Sequence, residues 1–162
     1  MKHLLLVRHA ESPFNYHNCK DFDRPLNNQG IEDAKVMANQ IIKNNFLPDL
    51  IVSSGANRAL TTSQIIAENI SYQENKIELN NDIYNASIED VISILHYIPD
   101  KYEKIMLTGH NPTFHLLSQT LSGTNVIKFP PCCMFLIKFN IELWSLLDRG
   151  EKQIMIYPQL FR

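Results

Sequence analysis

Cysteine and glycine are both scarce in this sequence. Three of its 162 residues are cysteines, Cys19, Cys132 and Cys133, and five are glycines. An odd number of cysteines, two of them adjacent, predicts neither a disulfide framework nor a paired-cysteine zinc site, so we expect free thiols in a reducing compartment. None of the glycines forms the G-x-x-x-x-G-K segment that cradles nucleotide phosphates, which excludes a Walker-type loop.

Neither sign of charge is in clear excess. Lysine and arginine number 15 against 17 aspartate and glutamate residues, which gives a formal net charge of -2 and an isoelectric point near 6.3. Non-specific nucleic-acid binding needs a basic surface that this balance does not supply. We therefore expect no nucleic-acid partner, and any anion that the protein binds has to be held by a few placed residues.

Long apolar runs are also missing. No stretch approaches the ~18 residues of a membrane-spanning helix, and the apolar run ahead of Arg8 is too short for a secretory signal. His3, His17 and Cys19 do not match the ligand spacing of a zinc site. These absences predict a cytoplasmic protein with no membrane partner, no metal and no cofactor.

The composition is that of one globular domain over residues 1–162. Hydrophobic residues make up 44% of the chain, and a chain of this length buries roughly 70% of its unfolded surface, enough for a core with a cleft. Short apolar runs alternate with longer amphipathic stretches, a pattern typical of an α/β fold with a largely parallel sheet. The apolar runs predict strands over residues 3–7, 49–53, 104–108, 134–139 and 153–157, the last two as candidates for antiparallel pairing. The amphipathic stretches predict helices over residues 30–44, 58–70, 87–98 and 112–121.

Unusual polar residues follow three of the predicted strands. Arg8 and His9 come directly after the first, Arg58 lies shortly after the second, and His110 follows the third. The carboxyl ends of parallel strands meet at one edge of an open sheet, where ligands bind. Two connections, residues 11–29 and 122–131, are long enough to be functional. We expect the two arginines and two histidines to share one site.

That set of side chains suits phosphoryl chemistry. Each guanidinium presents forked N–H donors that match phosphate oxygens, and helix starts after Ser53 and at Pro112 add backbone donors. A neutral imidazole can attack phosphorus and carry the phosphoryl group covalently, and on this reasoning His9 is slightly better placed for that role than His110. Taken singly, Arg58 also fits a solvated helix residue, and His110 an ordinary turn residue.

Four segments resemble the histidine phosphatase superfamily, which is also called phosphoglycerate-mutase-like. They occur in the family's order and span nearly the whole chain. Residues 7–12 (VRHAES) resemble its RHG motif, residues 24–30 (RPLNNQG) the segment that leads into the first helix, residues 53–62 (SSGANRALTT) the segment with the second arginine, and residues 108–112 (TGHNP) the segment with the second histidine. The resemblance implies a three-layer α/β/α sandwich with a mostly parallel central sheet.

The resemblance also implies roles for individual residues. The catalytic set that it implies is the nucleophile His9, the phosphoryl-binding Arg8 and Arg58, and the donor His110. Arg24 would line the mouth of the pocket, and Asn15 would contact phosphate. The short chain, the DRPL sequence at residues 23–26 and the final Tyr157-Pro158 are most similar to the SixA-type phosphohistidine phosphatases.

The sequence departs from the family pattern at three places. Ala10 stands where the family has glycine, and Phe14 stands where mutases have tryptophan. In the middle of the chain no carboxylate sits in a recognisable general-acid motif, although Glu78 and Asp82 lie near the expected place.

The lack of a clear acid bears on the substrate. An alkoxide has to be protonated as it leaves, and acid catalysis contributes ~10²–10⁴-fold. Imidazole, with a reference pKa of about 6.5, leaves more easily. We therefore predict a phosphatase for phosphohistidine in proteins that forms a phosphohistidine intermediate and releases inorganic phosphate. The alternatives are a small-molecule phosphomonoesterase with Glu78 or Asp82 as its acid, and a non-catalytic phosphate-binding module.

Overall fold

The computed structural model describes residues 1–15 and 18–162. The described strands are β1 (Lys2–Arg8), β2 (Leu50–Ser53), β3 (Glu78–Leu79), β4 (Lys104–Gly109), β5 (Met134–Phe139) and β6 (Glu151–Ile156). The α-helices are α1 (Asn28–Lys43), α2 (Asn57–Asn69), α3 (Ile88–His96) and α4 (Thr113–Ser122). Single 3-10 turns lie at Asp21–Asp23, Glu74–Lys76, Asn81–Ile83, Trp144–Leu146 and Pro158–Phe161. None of these helices is long and apolar enough to cross a bilayer.

The strands form one mixed sheet in the order β3-β2-β4-β1-β5-β6. The first four strands of that order run parallel to one another, and β5 and β6 pair antiparallel. The predicted α/β fold with a mostly parallel central sheet is confirmed. Of the two late strands, β5 runs antiparallel to both of its neighbours, β1 and β6.

Helices cover both faces of the sheet because the strand residues alternate between two cores. Leu4 and Leu6 of β1 belong to the core that includes α3 and α4, whereas Leu5 and Val7 belong to the core that includes α1 and α2. All four leucine and valine side chains are at most 5% exposed. The result is the three-layer arrangement that the family resemblance implies.

Two of the helices, α1 and α3, begin at residues whose side chains cap them. Asn27 Oδ1 accepts from the Gly30 amide at 2.8 Å, and Ser87 and Asp90 form a reciprocal capping box at the start of α3. A Cβ on Gly30 would lie 2.3 Å from the Glu11 carbonyl oxygen, so glycine lets α1 pack closely against the loop that follows β1. Strand β3 escapes sequence prediction because its two exposed residues carry no periodicity.

Strands β1, β2 and β4 end at the same edge of the sheet. Arg8 is in register with Gly109, and Ser53 is in register with Thr108. The backbone pairing continues for one more residue, because the Ser54 amide donates to the Thr108 carbonyl at 3.0 Å. Residues that follow these three strands are therefore brought side by side.

Candidate active site

The residues after β1, β2 and β4 line one cleft of about 430 Å³. Arg8, His9, Arg58 and His110 all lie in its wall, and the imidazole centroids of the two histidines are 5.3 Å apart. The structure thus brings together the four residues that the sequence assigns to one site.

The backbone of His9 is held on both sides. Its amide donates to the Gly109 carbonyl at 3.0 Å, and its own carbonyl accepts from the Cys132 amide at 3.0 Å. Hydrogen bonds to both neighbouring segments leave little freedom for the main chain at this residue. The position of the imidazole is consequently set by the sheet.

Ala10 occupies the place where the family has glycine. It is fully buried, and its φ lies outside the left-handed region, so the methyl group causes no backbone strain. The Ala10 amide donates to Thr62 Oγ1 at 2.9 Å, and the same hydroxyl donates to the Arg58 carbonyl at 2.7 Å. Thr62 therefore ties the segment after β1 to the first turn of α2.

The ring of His9 is oriented by its own neighbour. Its Nδ1 lies 2.8 Å from the Ala10 carbonyl oxygen, and a carbonyl only accepts, so Nδ1 carries the ring proton. Burial lowers the pKa of His9 to about 3, with smaller contributions from His110 and the two arginines, while the bond to Ala10 acts in the opposite direction. At neutral pH the ring is uncharged, and the lone pair on Nε2 is free.

Two guanidiniums stand beside this imidazole. Arg8 Nη1 donates to the Phe129 carbonyl at 3.1 Å, and Arg58 Nη1 donates to the Asp21 carbonyl at 2.7 Å. The Nε of each arginine is buried and has no hydrogen-bond partner among the described residues. Burial lowers the pKa of Arg8 from its ordinary high value, but a guanidinium remains charged. Two guanidiniums with buried, unused N–H groups favour an anionic ligand.

His110 faces His9 and is held by a serine. Its Nε2 lies 2.8 Å from Ser54 Oγ, while its Nδ1 is buried with no partner in the described chain. Ser54 Oγ also accepts from the Ala56 amide at 3.2 Å, and its own proton has no other acceptor than His110 among the described contacts, so we assign it as the donor to Nε2 and the ring proton to Nδ1. Burial, followed by the charge of Arg58, lowers the pKa of His110 to about 4. A neutral donor therefore lies opposite His9.

The long connection over residues 122–131 reaches the site through one carbonyl. The Phe129 oxygen accepts from Arg8 Nη1 at 3.1 Å and from Asn111 Nδ2 at 2.8 Å. Asn111 lines the cleft, and its Oδ1 is buried without a partner in the described chain. The sequence identified this segment as functional from its length alone and did not single out Asn111.

Arg24 lines the cleft but is mainly a structural tie. Its Nε donates to Asp21 Oδ1 at 2.9 Å, and its Nη1 donates to the Pro13 carbonyl at 2.8 Å. The guanidinium also lies over the ring of Phe14, 5.0 Å from its centroid. Arg24 thereby holds the rim of the cleft. Asn15 is exposed and does not line the cleft, so its contact with phosphate stays a prediction.

The carboxylates considered as general acids lie elsewhere. Glu78 and Asp82 both line a separate groove beside α3. Within the described ranges, Glu11 is the one carboxylate in the wall of the cleft that holds His9, and its Oε1 accepts from Asn27 Nδ2 at 3.0 Å. The structure therefore does not support Glu78 or Asp82 as the acid of this site.

Sequence reasoning also missed Asp21 and Tyr84. Asp21 Oδ2 lies 3.1 Å from Arg58 Nη2 and accepts a short hydrogen bond of 2.5 Å from the Tyr84 hydroxyl. The ring of Tyr84 packs edge-on against His110, with centroids 5.5 Å apart. Both residues follow or belong to 3-10 turns, which leave no periodic signal. The i, i+3 spacing of Asp21 and Arg24 was the available clue.

Metal ligands and reactive thiols do not form a second centre in the part of the chain described. No group of three or more histidine, cysteine, aspartate or glutamate residues is arranged to hold a metal ion there, while His17 lies outside the described residues. Cys132 and Cys133 are buried free thiols, and burial raises the pKa of Cys133 to about 12. Neither of them is an activated nucleophile.

Comparisons with known proteins agree with this geometry. The sequence model of the histidine phosphatase superfamily (branch 1) matches residues 4–104. An uncharacterized chloroplastic protein of Arabidopsis thaliana is 30% identical over 152 residues, which cover 89% of this chain and 69% of that protein.

Solved structures of two proteins assigned as phosphatases share the fold. A protein of Agrobacterium tumefaciens assigned as the phosphohistidine phosphatase SixA superposes with a TM-score of 0.84 at 25% identity, over 97% of this chain and 98% of its own. An Escherichia coli protein assigned as an α-ribazole-5'-phosphate phosphatase superposes with a TM-score of 0.74 at 16% identity, over 98% of each chain. The same fold thus occurs in proteins with different assigned substrates. The fold alone does not identify the substrate, which depends on the residues of the site.

Proposed function

The chain belongs to the histidine phosphatase superfamily, and from that premise we propose that it removes the phosphoryl group from phosphohistidine in proteins through a phosphorylated His9. The observation that carries the proposal is the orientation of His9. Its Nδ1 is tied to the Ala10 carbonyl, and its Nε2 is left uncharged beside Arg8 and Arg58. A nucleophile and the hydrogen-bond donors for a phosphoryl group therefore line the same cleft.

In the first step, Nε2 of His9 forms a bond to phosphorus while the bond from phosphorus to the substrate nitrogen breaks. The buried N–H groups of Arg8 and Arg58 and the Nδ1–H of His110 stabilise the charge on the phosphoryl oxygens. His9 keeps its Nδ1 proton, so the phosphorylated ring is cationic and is paired with the anionic phosphoryl group. The Ala10 carbonyl stabilises that positive ring.

In the second step, water attacks phosphorus and the bond to Nε2 breaks. His9 leaves as a neutral imidazole with its proton still on Nδ1, and both protons of the water remain with the inorganic phosphate. The reaction then needs no base strong enough to remove a proton before attack. The imidazole leaving group makes this step as favourable as the first.

Phosphohistidine fits this site better than a phosphate ester. In the transfer, the nucleophile and the leaving group are both imidazoles. The substrate imidazole leaves as a neutral ring when its other nitrogen, the one not bonded to phosphorus, carries a proton. An alkoxide would need an acid, and Glu78 and Asp82 lie in another groove. Glu11 is hydrogen-bonded to Asn27 in the cleft wall. The chemistry of the site therefore favours the substrate that least requires an acid.

A protein substrate also suits the rim of the cleft. Phe14 is 87% exposed there, and its ring is held by the guanidinium of Arg24. A fixed, exposed aromatic beside a catalytic cleft is the kind of surface that partner proteins use. We propose a cytoplasmic role in phosphotransfer signalling, in which the partner presents its phosphohistidine to the cleft without a metal or cofactor.

Rapid quenching during turnover tests the proposal. The wild-type protein and His9→Ala are mixed with a phosphorylated histidine phosphotransfer domain, and acid-labile, alkali-stable phosphate on the enzyme is measured. We expect it on the wild type and not on the variant. If it also appears on His9→Ala, the nucleophile is another residue.

The same assay separates the alternatives. A small phosphomonoester that is hydrolysed faster than the phosphoprotein would favour the phosphomonoesterase. Phosphate binding without turnover of either substrate would favour the non-catalytic module.

A further inference from the structure

Asp21 is the residue through which three separate parts of the chain meet at the site. Its Oδ1 accepts from Arg24 Nε at 2.9 Å, its Oδ2 accepts from Arg58 Nη2 at 3.1 Å, and its carbonyl accepts from Arg58 Nη1 at 2.7 Å. The Tyr84 hydroxyl, 63 residues away in sequence, donates to the same Oδ2. Every acceptor group of Asp21 is thus directed at a residue of the site or its rim.

The environment of these contacts is asymmetric. The side chains of Arg24 and Arg58 are 7% and 6% exposed, whereas that of Asp21 is 54% exposed. A solvent-exposed carboxylate usually gains little from an ion pair. Here the carboxylate accepts hydrogen bonds from two buried guanidiniums. Without Asp21, each guanidinium would be a buried charge with fewer hydrogen-bond partners. These two ion pairs therefore restrain the arginine side chains more than they restrain Asp21.

The effect on Arg58 is directional. With one N–H of Nη1 and one of Nη2 directed at Asp21, three of the five N–H groups of the guanidinium have no partner in the described chain, among them the buried one at Nε. A planar guanidinium held at two corners has these remaining donors fixed in space. Tyr84 adds to this restraint, because its ring lies 5.9 Å from the guanidinium carbon of Arg58.

We infer that Asp21 is a positioning residue, which aims Arg58 at the phosphoryl group and, through Arg24, holds the rim of the cleft in place. The inference rests on the phosphoryl site proposed above. Asp21 does not touch the substrate or the reacting atoms in this role. It remains ionised at neutral pH, since hydrogen bonds from Tyr84 and the arginines hold the pKa of its carboxyl well below the usual range.

Equilibrium binding of inorganic phosphate tests the inference, because positioning and simple charge predict opposite signs. If Asp21 acted only as a negative charge near the site, Asp21→Asn would tighten phosphate binding. If it positions Arg58, the variant binds phosphate about 10-fold more weakly, since misplaced site groups cost about one to two orders of magnitude. Binding by Asp21→Asn that is as tight as the wild type, or tighter, overturns the inference.

Asp23→Asn is the matched control. Asp23 lies on the same 3-10 turn, is exposed and has no ion pair in the described chain, so the variant removes the same charge without touching either arginine. Its phosphate affinity is expected to stay within about twofold of the wild type. An equal loss in both variants would assign the effect to a disturbance of the 3-10 turn and would contradict positioning.

A double-variant cycle then asks whether Asp21 acts through Arg58. Lysine has no fork to be oriented, so Asp21→Asn added to Arg58→Lys is expected to cause no further loss of affinity. Losses that multiply in the double variant would show that the two residues act independently, which overturns the inference.

Two safeguards keep the test decisive. If Asp21→Asn does not fold by circular dichroism, Tyr84→Phe removes one hydrogen bond to Asp21 and keeps the ring, and it is expected to weaken phosphate binding several-fold; unchanged binding would count against the inference. The assay also needs no turnover. A protein inactive on phosphohistidine whose Asp21→Asn variant still binds phosphate more weakly would refute the proposed activity and leave the positioning role standing.

Discussion

The hydroxyl oxygen of Ser54 lies 2.8 Å from Nε2 of His110. That oxygen accepts from the Ala56 amide, and we assign its own proton to the ring, which fixes the nitrogen of His110 that carries the proton. The tautomer of His110 is therefore set from outside the cleft.

Removal of this hydroxyl should slow the reaction without weakening substrate binding. Ser54→Ala releases the ring and its tautomer, and the loss of one hydrogen bond of about 1 kcal/mol corresponds to about a fivefold fall in kcat. Ser53→Ala is the control, because the Ser53 hydroxyl donates to the Ser54 carbonyl and not to His110. A fall confined to KM, or an equal fall in both variants, would contradict the assignment.

The two histidines should make the protein less stable in acid. Their pKa values are lowered to about 3 for His9 and about 4 for His110, while the unfolded chain has values near 6.5. Between these limits the unfolded state binds protons that the native state does not, so the free energy of unfolding falls as the pH drops below about 6.5. Each group contributes up to about 1.4 kcal/mol per pH unit in that window.

Urea unfolding from pH 7.5 to pH 4.5 measures this dependence. His9→Gln should show a shallower fall than the wild type across the window, because glutamine does not titrate. An unchanged slope in His9→Gln would mean that the native His9 titrates normally.

Arg162 should stabilise the fold without affecting catalysis. Its Nη2 lies 2.7 Å from Oδ2 of Asp33, whose side chain is 4% exposed, and Gln29 donates to the other oxygen. Arg162→Met leaves that carboxylate without its counter-charge and should lower the free energy of unfolding by about 1–2 kcal/mol. Activity on the phosphoprotein should not change.

The matched control for this pair is Lys35→Met. Lys35 pairs with Glu32 at 3.5 Å, and both side chains are more than half exposed, so the change should cost less than about 0.5 kcal/mol. Adding Asp33→Asn to Arg162→Met should recover part of the loss. A larger loss in that double variant would indicate that Asp33 acts through other partners.

Inorganic phosphate should raise the Tm of the wild type. Ligand that binds only the native state stabilises it, by about 2.7 kcal/mol at 100 times the Kd, and the two buried Nε groups favour an anion. Arg58→Gln should lose most of the shift in differential scanning fluorimetry. Arg149→Gln, at an exposed position, should retain it; loss of the shift in both variants would indicate non-specific anion binding.

Phe14 should matter for protein substrates alone. Phe14→Ala removes an exposed ring at the rim and is expected to lower kcat/KM for a phosphorylated histidine phosphotransfer domain about 5- to 10-fold, because one interface aromatic contributes about 1 kcal/mol or more. Hydrolysis of free phosphohistidine should be unaffected. Tyr97→Ala, at another exposed aromatic (85%), serves as control, and a loss on both substrates in Phe14→Ala would place Phe14 in the chemistry instead of the docking.

The sequence was sufficient to predict the sheet and the convergence of four residues. Arg8, His9 and His110 follow buried strands whose apolar runs are unmistakable, and parallel strands end at one edge. Asp21 and Tyr84 were not predictable, since they come together across 63 residues from irregular turns. Contacts of that kind depend on tertiary packing and leave no periodic trace in the chain.

The acid candidates illustrate a different limit. Glu78 and Asp82 are near the family's acid in sequence, yet β3 and the turn after it direct them to the groove beside α3. Ala10 shows the reverse case, because its ordinary φ removes the strain that the change from glycine suggests. Local backbone geometry decides both where the two carboxylates point and whether Ala10 is strained. A sequence motif does not contain that geometry.

The hydrogen bonds on both sides of the His9 main chain make the proposed nucleophile the stationary partner in any encounter with a substrate. Its amide should be among the slowest to exchange with deuterium, because opening it requires separating the central strands. A phosphoryl group therefore has to be delivered to a nitrogen atom in a fixed position. Any adjustment to different phosphorylated substrates has to occur in the segments around the cleft. Evolution of specificity in this protein would then act on its rim and leave its central strand unchanged.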